Sequence, residues 1–300
     1  MSILDKIIVK FLPLTPKAIV KKIAGKYIAG VSIEDAMKIT TALNKEGASV
    51  TIDVLGEFVE SREVALNETE QSIEVLNQIS YGNLKAELSV KLTSLGLGID
   101  EEFAYNNLFK VVKRANELGL FVRTDMENSP FTQKTIELQR RIKAVFPDNI
   151  GIVLQAYMRR SESDILSLVK DNVNFRLCKG IYNESEDIAF KDRKEIQDNY
   201  LKCLKIIFEN NCFVGIATHD DVLINGARKM IKEMNYPKEK YQFQMLLGVR
   251  ENKRKELIEQ GHDLQVYVPF GLDWYGYSIR RLKENPEVAG HVFRAMFSKD

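Results

Sequence analysis

Residues 150–180 read IGIVLQAYMRRSESDILSLVKDNVNFRLCKG, and the reading of this stretch decides the fold. Ile150–Gln155 is a short apolar run rich in β-branched residues, and Asn174–Lys179 is a second run of strand length. Between them, Ser161 to Asp164 has the pattern of a capping box, a serine followed three residues later by an acid. A strand, a helix start and another strand in immediate succession describe a crossover unit, and crossovers join parallel strands.

The same unit recurs on both sides. Strand-like runs lie at Val50–Leu55, Glu87–Leu92, Leu120–Asp125, Phe213–Thr218, Tyr241–Leu247 and Leu264–Pro269. Charged stretches with helical periodicity fall between them, among them Glu101–Leu118, Thr132–Val145, Ile188–Phe208 and Val222–Met234. Ser129-Pro130 reads as an N-cap followed by proline at the first helical position. About eight strand–helix repeats without a hairpin signal predict an α/β fold, a closed (β/α)8 TIM-type barrel with extra N-terminal helices. An open doubly wound sheet would place a glycine-rich phosphate turn after the first strand. The turn here is Leu55-Gly56-Glu57-Phe58, which lacks those glycines. Residues 46–300 are assigned to the barrel and residues 1–45 to a helical extension.

Composition excludes several classes. The 300 residues are 45% hydrophobic and 28% charged with a net charge of +1, so no global field favours nucleic acid. Cys178, Cys203 and Cys212 have no metal-ligand spacing, and their odd number argues against a disulfide framework, which suits a reducing cytoplasmic setting. No apolar run reaches the roughly 18–20 residues of a membrane span, and Lys10 interrupts the one candidate export signal. Charge is uneven, however. Residues 1–30 carry Lys6, Lys10, Lys17, Lys21, Lys22 and Lys26 against Asp5, beside an apolar stripe of Ile3, Leu4, Ile7, Ile8, Phe11 and Leu12. The stripe either packs on the barrel or forms a basic amphipathic helix in peripheral contact with anionic lipid.

Barrels of this kind build their sites at the C-terminal ends of the strands. Those ends carry Lys91, Asp125, Gln155, Arg176 with Lys179, Thr218 with His219, Gln244 and Tyr267, and the last helix adds Tyr277, Arg280, Arg281 and Glu284. Several cations buried together are costly unless anions share the space. The set therefore asks for a ligand with phosphates, carboxylates or both. Each residue also has an ordinary alternative: paired arginines on a solvated face, Asp125 and His219 as helix caps, tyrosines on a barrel rim.

The blocks SVKLTSLG (89–96), VRTDMENS (122–129), LQAYMRRS (154–161), FRLCKGIY (175–182), IATHDD (216–221), YQFQMLLG (241–248), VYVPFG (266–271) and YSIRRLKE (277–284) resemble the proline dehydrogenase family, in order along the whole barrel. The resemblance implies FAD-dependent oxidation of L-proline to Δ1-pyrroline-5-carboxylate, with the C5 hydride passing to flavin N5 and electrons to a quinone. It implies that Arg280, Arg281 and Lys91 bind the proline carboxylate, that Glu57 pairs with Arg280 to close the site, and that Tyr182, Leu246, Tyr267 and Tyr277 wall the ring. Asp125 orients the amine or holds the surrounding cations; its neighbours make it a poor base. On the cofactor side the resemblance implies Arg176 against the flavin ring and Gln155 on its pyrimidine edge. Lys179, Gly180 and Ile181 then face the ribityl chain or phosphates, Thr218 and His219 the phosphate or adenosine, with Met126 and Glu284 as further contacts. Phe270 and Ile181 depart from the pattern, and neither removes a charge. The length suits the monofunctional type, which passes its product to a separate glutamate-semialdehyde dehydrogenase. Two rival readings are a Schiff-base lyase or aldolase using Lys91 or Lys179, and a ligand-binding barrel without turnover.

Overall fold

The computed structural model describes residues 25–278. Eight parallel strands close into a barrel in sequence order: β1 (Ser49–Val54), β2 (Ala86–Val90), β3 (Val122–Thr124), β4 (Ile150–Gln155), β5 (Asn174–Cys178), β6 (Val214–Ala217), β7 (Tyr241–Leu246) and β8 (Leu264–Phe270). The crossovers run through α2 (Arg62–Tyr81), α3 (Glu101–Glu117), α4 (Ser129–Lys143), α5 (Ser161–Leu168), α6 (Arg193–Glu209), α7 (Asp221–Glu233) and α8 (Glu251–Glu259). One further helix, α1 (Ile33–Lys45), precedes β1 and packs against β1 and β8. Closure is made by β1 on β8, in register from Ser49 opposite Gln265 to Val54 opposite Phe270.

The helices coat the barrel because each has one apolar stripe. In α3 the stripe is Ala104, Leu108, Val111, Val112 and Ala115, all fully buried, at the 3–4 residue spacing of one helix face. It packs on β3 and belongs to the same apolar layer as outward strand residues such as Val122, Leu88 and Ile52. Burying one such aliphatic side chain stabilises the fold by about 1.5–3 kcal/mol.

All eight strands lie where the sequence places them, with ends shifted by one or two residues. Three local expectations are corrected. Helix α6 starts at Arg193, not Ile188, because Asp192 caps it by accepting the N–H groups of Lys194 (2.8 Å) and Glu195 (3.1 Å). Asn128, not Ser129, is the N-cap of α4, and the N–H and hydroxyl of Ser129 donate instead to Glu184 at 2.6 and 2.7 Å. The capping box at Ser161 is absent: its hydroxyl donates to the Gln155 carbonyl, while Asp164 takes the Arg160 guanidinium at 2.7 and 2.9 Å.

Candidate active site

The barrel interior is polar. Alternate strand residues Thr51 and Asp53, Glu87 and Ser89, Arg123 and Asp125, Arg176 and Cys178, Gln244 and Leu246, and Gln265 and Tyr267 share the phase that turns one side of each strand inward. Most parallel barrels fill that space with branched aliphatics. Here β4 and β6 make room for larger polar neighbours: a Cβ on Gly151 would lie 2.8 Å from Arg123 Nη1, and one on Gly215 would lie 2.3 Å from Gln244 Nε2.

Arg176 stands at the centre of this space. Its Nε donates to Gln244 Oε1 at 2.6 Å, Nη1 to Ser89 Oγ and Asp125 Oδ1 at 3.2 Å each, and Nη2 to Thr51 Oγ1 at 2.8 Å and Glu87 Oε1 at 3.1 Å. A guanidinium has five N–H groups, and all are committed to the protein across β1, β2, β3 and β7. Glu87 also takes Arg123 Nε at 3.3 Å and the Thr51 hydroxyl at 2.9 Å. Burial alone would raise the Glu87 carboxyl, but Arg123 and Arg176 outweigh it and hold the group below its ordinary range.

Toward the mouth sits a second charge group. Lys91 Nζ donates to Asp53 Oδ1 at 2.6 Å and lies 3.7 Å from Asp125 Oδ2, which accepts the Tyr267 hydroxyl at 2.7 Å. Asp125 Oδ1 takes the Ser89 hydroxyl at 2.8 Å besides Arg176. Burial works against the Lys91 charge, yet Asp53 and Asp125 hold the ammonium above its ordinary pKa. Tyr182 lies within electrostatic range of Lys91, Glu127, Glu57 and Asp125, so it belongs to the same mouth. Arg123, Arg176 and Lys91 thus face Glu87, Asp53 and Asp125, a balanced and desolvated array.

A third group lies at the ends of β5 and β6. Asp220, buried, caps α7 through Val222 N–H (3.0 Å) and gathers Gln197 (3.0 Å), Arg193 (3.2 Å) and Lys179 (3.5 Å) on Oδ2. Thr218 Oγ1 accepts the Asp220 N–H at 3.1 Å, and His219 Nε2 accepts the Leu246 N–H at 3.0 Å. Gly180 turns the chain here with φ +108, and a Cβ on it would lie 2.0 Å from the Tyr157 ring. Next to this group Ile181 is exposed. Gln155 is buried and donates from Nε2 to the Glu127 carbonyl at 2.9 Å, which leaves its Oε1 to accept. Met126 and Tyr277 are buried as well, the former within the apolar layer. Glu57 lies in the loop after β1; Arg280, Arg281 and Glu284 lie outside the described residues.

The structure therefore brings Lys91, Asp125, Arg176, Tyr182 and Tyr267 together, and Lys179, Thr218 and His219 into a separate group. Sequence reasoning missed Asp53, Glu87, Glu127, Asp220 and Arg193. The first two were legible as polar residues in the inward phase of strands otherwise read as apolar runs.

A sequence profile described as "Proline dehydrogenase" matches residues 36–294. The chain belongs to the proline dehydrogenase family. Among curated relatives, proline dehydrogenase 2 of Bacillus subtilis (strain 168) is 38% identical over 276 residues, covering 92% of this chain and 91% of the relative. Proline dehydrogenase of Deinococcus radiodurans is 32% identical over 278 residues, covering 91% and 90%. The fold also superposes on proline utilization A from Bdellovibrio bacteriovorus, inactivated by N-propargylglycine, with a TM-score of 0.82 and 26% identity. That match covers 88% of this chain but 33% of the other, so this proline dehydrogenase family member spans about a third of the longer protein.

Proposed function

We propose that the chain oxidises L-proline to Δ1-pyrroline-5-carboxylate with FAD as its resident cofactor, and that a quinone takes the electrons onward. The observation that carries the proposal is the Asp53–Lys91–Asp125–Tyr267 group, opening at the strand ends of a chain of this family.

The donor set fits a flavin dinucleotide at two separate ends. Gln155 keeps an accepting oxygen for a pyrimidine edge, and the cations Lys179 and Arg193, gathered on Asp220, suit a pyrophosphate. Gly180 is required where the backbone turns at φ +108 against the Tyr157 ring, and this turn sets the direction in which the backbone of Lys179–Ile181 would face the cofactor. Gly180, Ile181, Thr218, His219 and Met126 complete that side, with Glu284 in the last helix. When bound, FAD supplies the two-electron acceptor for the C5–H bond of proline.

The protein's own residues account for the rest. Loss of hydride from C5 needs the lone pair of the amine, so the amine must be neutral at that moment. Asp125 orients it: three of the about four acceptor directions of its carboxylate are filled by Ser89, Arg176 and Tyr267, and among the described residues one on Oδ2 remains, beside the Lys91 ammonium at 3.7 Å. Lys91, held charged by Asp53, binds the substrate carboxylate together with Arg280 and Arg281, whose planar forks suit it. Glu57 closes the pocket, and Tyr182, Leu246, Tyr267 and Tyr277 wall the ring. The ion pair on Lys91 also weighs against the Schiff-base reading, which needs a neutral amine nucleophile.

The product would pass to a separate glutamate-semialdehyde dehydrogenase, and delivery to a quinone suits a cytoplasmic protein resting on the inner face of the membrane. The deciding experiment is the absorption spectrum of the purified protein, followed by anaerobic addition of L-proline. A flavin spectrum that bleaches supports the proposal; a colourless protein, or a flavin unchanged by proline, overturns it. Arg280→Met and Arg281→Met should each weaken tetrahydrofuran-2-carboxylate binding by about 1.5–3 kcal/mol, the scale of a charge-assisted bond, at near wild-type flavin content. Unchanged affinity in both variants removes the carboxylate assignment.

A further inference from the structure

Glu127 is fully buried two residues beyond Asp125, and the mechanism above gives it no task. Both oxygens of its carboxylate are held by one residue. Oε2 accepts the Thr93 backbone N–H at 2.9 Å, and Oε1 accepts the Thr93 hydroxyl. The oxygen of that hydroxyl accepts the backbone N–H of Phe58 at 2.8 Å. Phe58 has φ +55, a region a bulky residue seldom enters, and its large ring stands exposed. It directly follows Glu57. On the other side, the Glu127 carbonyl accepts Gln155 Nε2 at 2.9 Å.

Two hydrogen-bonded arms therefore meet on one residue: the Glu127 carboxylate reaches through Thr93 to the loop after β1, and its backbone carbonyl is held from the end of β4 by Gln155. Along the Thr93 arm the polarity is consistent: Phe58 donates to Thr93 and Thr93 donates to the carboxylate, so the one bond polarises the other. The arrangement is expensive. Burial pushes the Glu127 carboxyl up to about 7 against the pull of Thr93 and of Lys91, and among the described residues no cation forms an ion pair with it. An apolar pair at 93 and 127 would fill the same space without that cost, but it would leave the Phe58 N–H unsatisfied and the left-handed backbone unsupported.

We propose that Glu127 and Thr93 are positioning residues that hold the Gly56–Phe58 segment, and with it Glu57, in the conformation that closes over the substrate, and that they couple this segment to the Gln155 side of the pocket. The proposal rests on the proline-oxidising reading and deepens it. The experiment uses the flavin-loaded protein and Thr93→Val, with Thr93→Ser as the conservative rescue. Hydrogen–deuterium exchange across residues 56–60 reports the strut directly, and binding of tetrahydrofuran-2-carboxylate reports its consequence at the pocket. In Thr93→Val, exchange should accelerate and affinity should fall, each roughly 5- to 20-fold, the scale of one buried hydrogen bond. The limiting rate of bleaching at saturating proline should fall less than affinity does. Thr93→Ser should restore both readouts. Glu127→Gln, which exchanges one accepting oxygen for a donor, should move them in the same direction. Wild-type exchange in Thr93→Val and Glu127→Gln overturns the proposal, and so does faster exchange with unchanged affinity. A wild-type flavin that proline fails to bleach would sink the proline reading alone, because exchange at residues 56–60 is measured without turnover.

Discussion

Arg176 has no N–H left for a ligand, so the influence proposed for it on a bound flavin would be exerted through charge. A fixed cation in a dry site favours the negative charge that reduction deposits nearby. Arg176→Met should therefore slow flavin reduction by proline more than it weakens proline binding, with Arg176→Lys in between. Equal reduction rates at full flavin occupancy would remove this role. The same replacement strands part of the Glu87 and Asp125 charge and should destabilise the fold by about 3–5 kcal/mol, so thermal stability is measured alongside. Glu68 on α2 offers a cleaner titration. Its Oε2 is buried without a hydrogen-bond partner among the described residues, and its carboxylate would lie 3.1 Å from a Cβ on Gly56. Burial, then Asp273 and Asp53, raise its pKa to about 7 against the pull of Lys91. The folded state thus holds this proton more tightly than the unfolded chain. Stability from the neutral form is fully present below about pH 4.5 and is lost as pH rises through about 7. Glu68→Gln removes that loss, and partial exposure trims the effect to about 1–2 kcal/mol. Urea unfolding at pH 5.5 and 8.5 checks it: Glu68→Gln should gain on the wild type at the higher pH, and an equal difference at both values excludes the assignment. Asp125 was legible because it stands just past the end of β3; Arg176, placed near a strand end from the sequence, lies in the middle of β5 and was legible from the block FRLCKGIY. Glu68 was not, since nothing in a helical glutamate announces that a glycine across the gap lets it sink.

At the scale of elements, strands were easier to read than helix starts. A parallel strand buried by helices is dominated by its own apolar run, whereas a cap depends on which neighbour reaches it. Ser129 had the right chemistry for a cap, but Glu184 arrives from the β5–α6 loop and engages it first. The same loop contains the sharpest backbone requirement of the proposed cofactor side. Gly180 sits at φ +108 against the Tyr157 ring. Gly180→Ala must strain the turn or displace Tyr157, at about 1–3 kcal/mol for the backbone alone. The expected outcome is a lower flavin-to-protein absorbance ratio and a lower melting temperature. Wild-type values of both would show that the turn tolerates a side chain.

At the scale of the whole molecule, net charge conceals an asymmetry. The +5 of residues 1–30 faces −4 in the remainder, and no helix among the described residues is long and apolar enough to cross a membrane. Tyr27 and Ile28 are buried, and Ala29 N–H donates to the Pro269 carbonyl at 2.9 Å, so the last part of this basic segment belongs to the barrel. Residues 1–24, with Lys6, Lys10, Lys17, Lys21 and Lys22, lie outside the described residues. Each lysine near an anionic leaflet contributes about 1 kcal/mol. A variant beginning at Gly25 should therefore lose salt-sensitive co-sedimentation with anionic vesicles and keep dye-linked activity. Equal binding by both proteins, or binding by neither, ends the membrane proposal.

The pairing of β1 with β8 also sets a timetable for the growing chain. Ser49 and Leu264, which meet across that seam, are 215 residues apart. At roughly 5–20 residues per second, the ribosome leaves β1 without its partner for about 10–40 seconds. Between the synthesis of residues 176 and 244 Arg176 lacks Gln244 and, until β7 and β8 emerge, the ionic interior stays open to water along one side. An unclosed sheet offers its edge to any other strand. The nascent protein is therefore most exposed to chaperones and to mispairing just before β8 is made, and the seam can close only after residues 264–270 have left the ribosome.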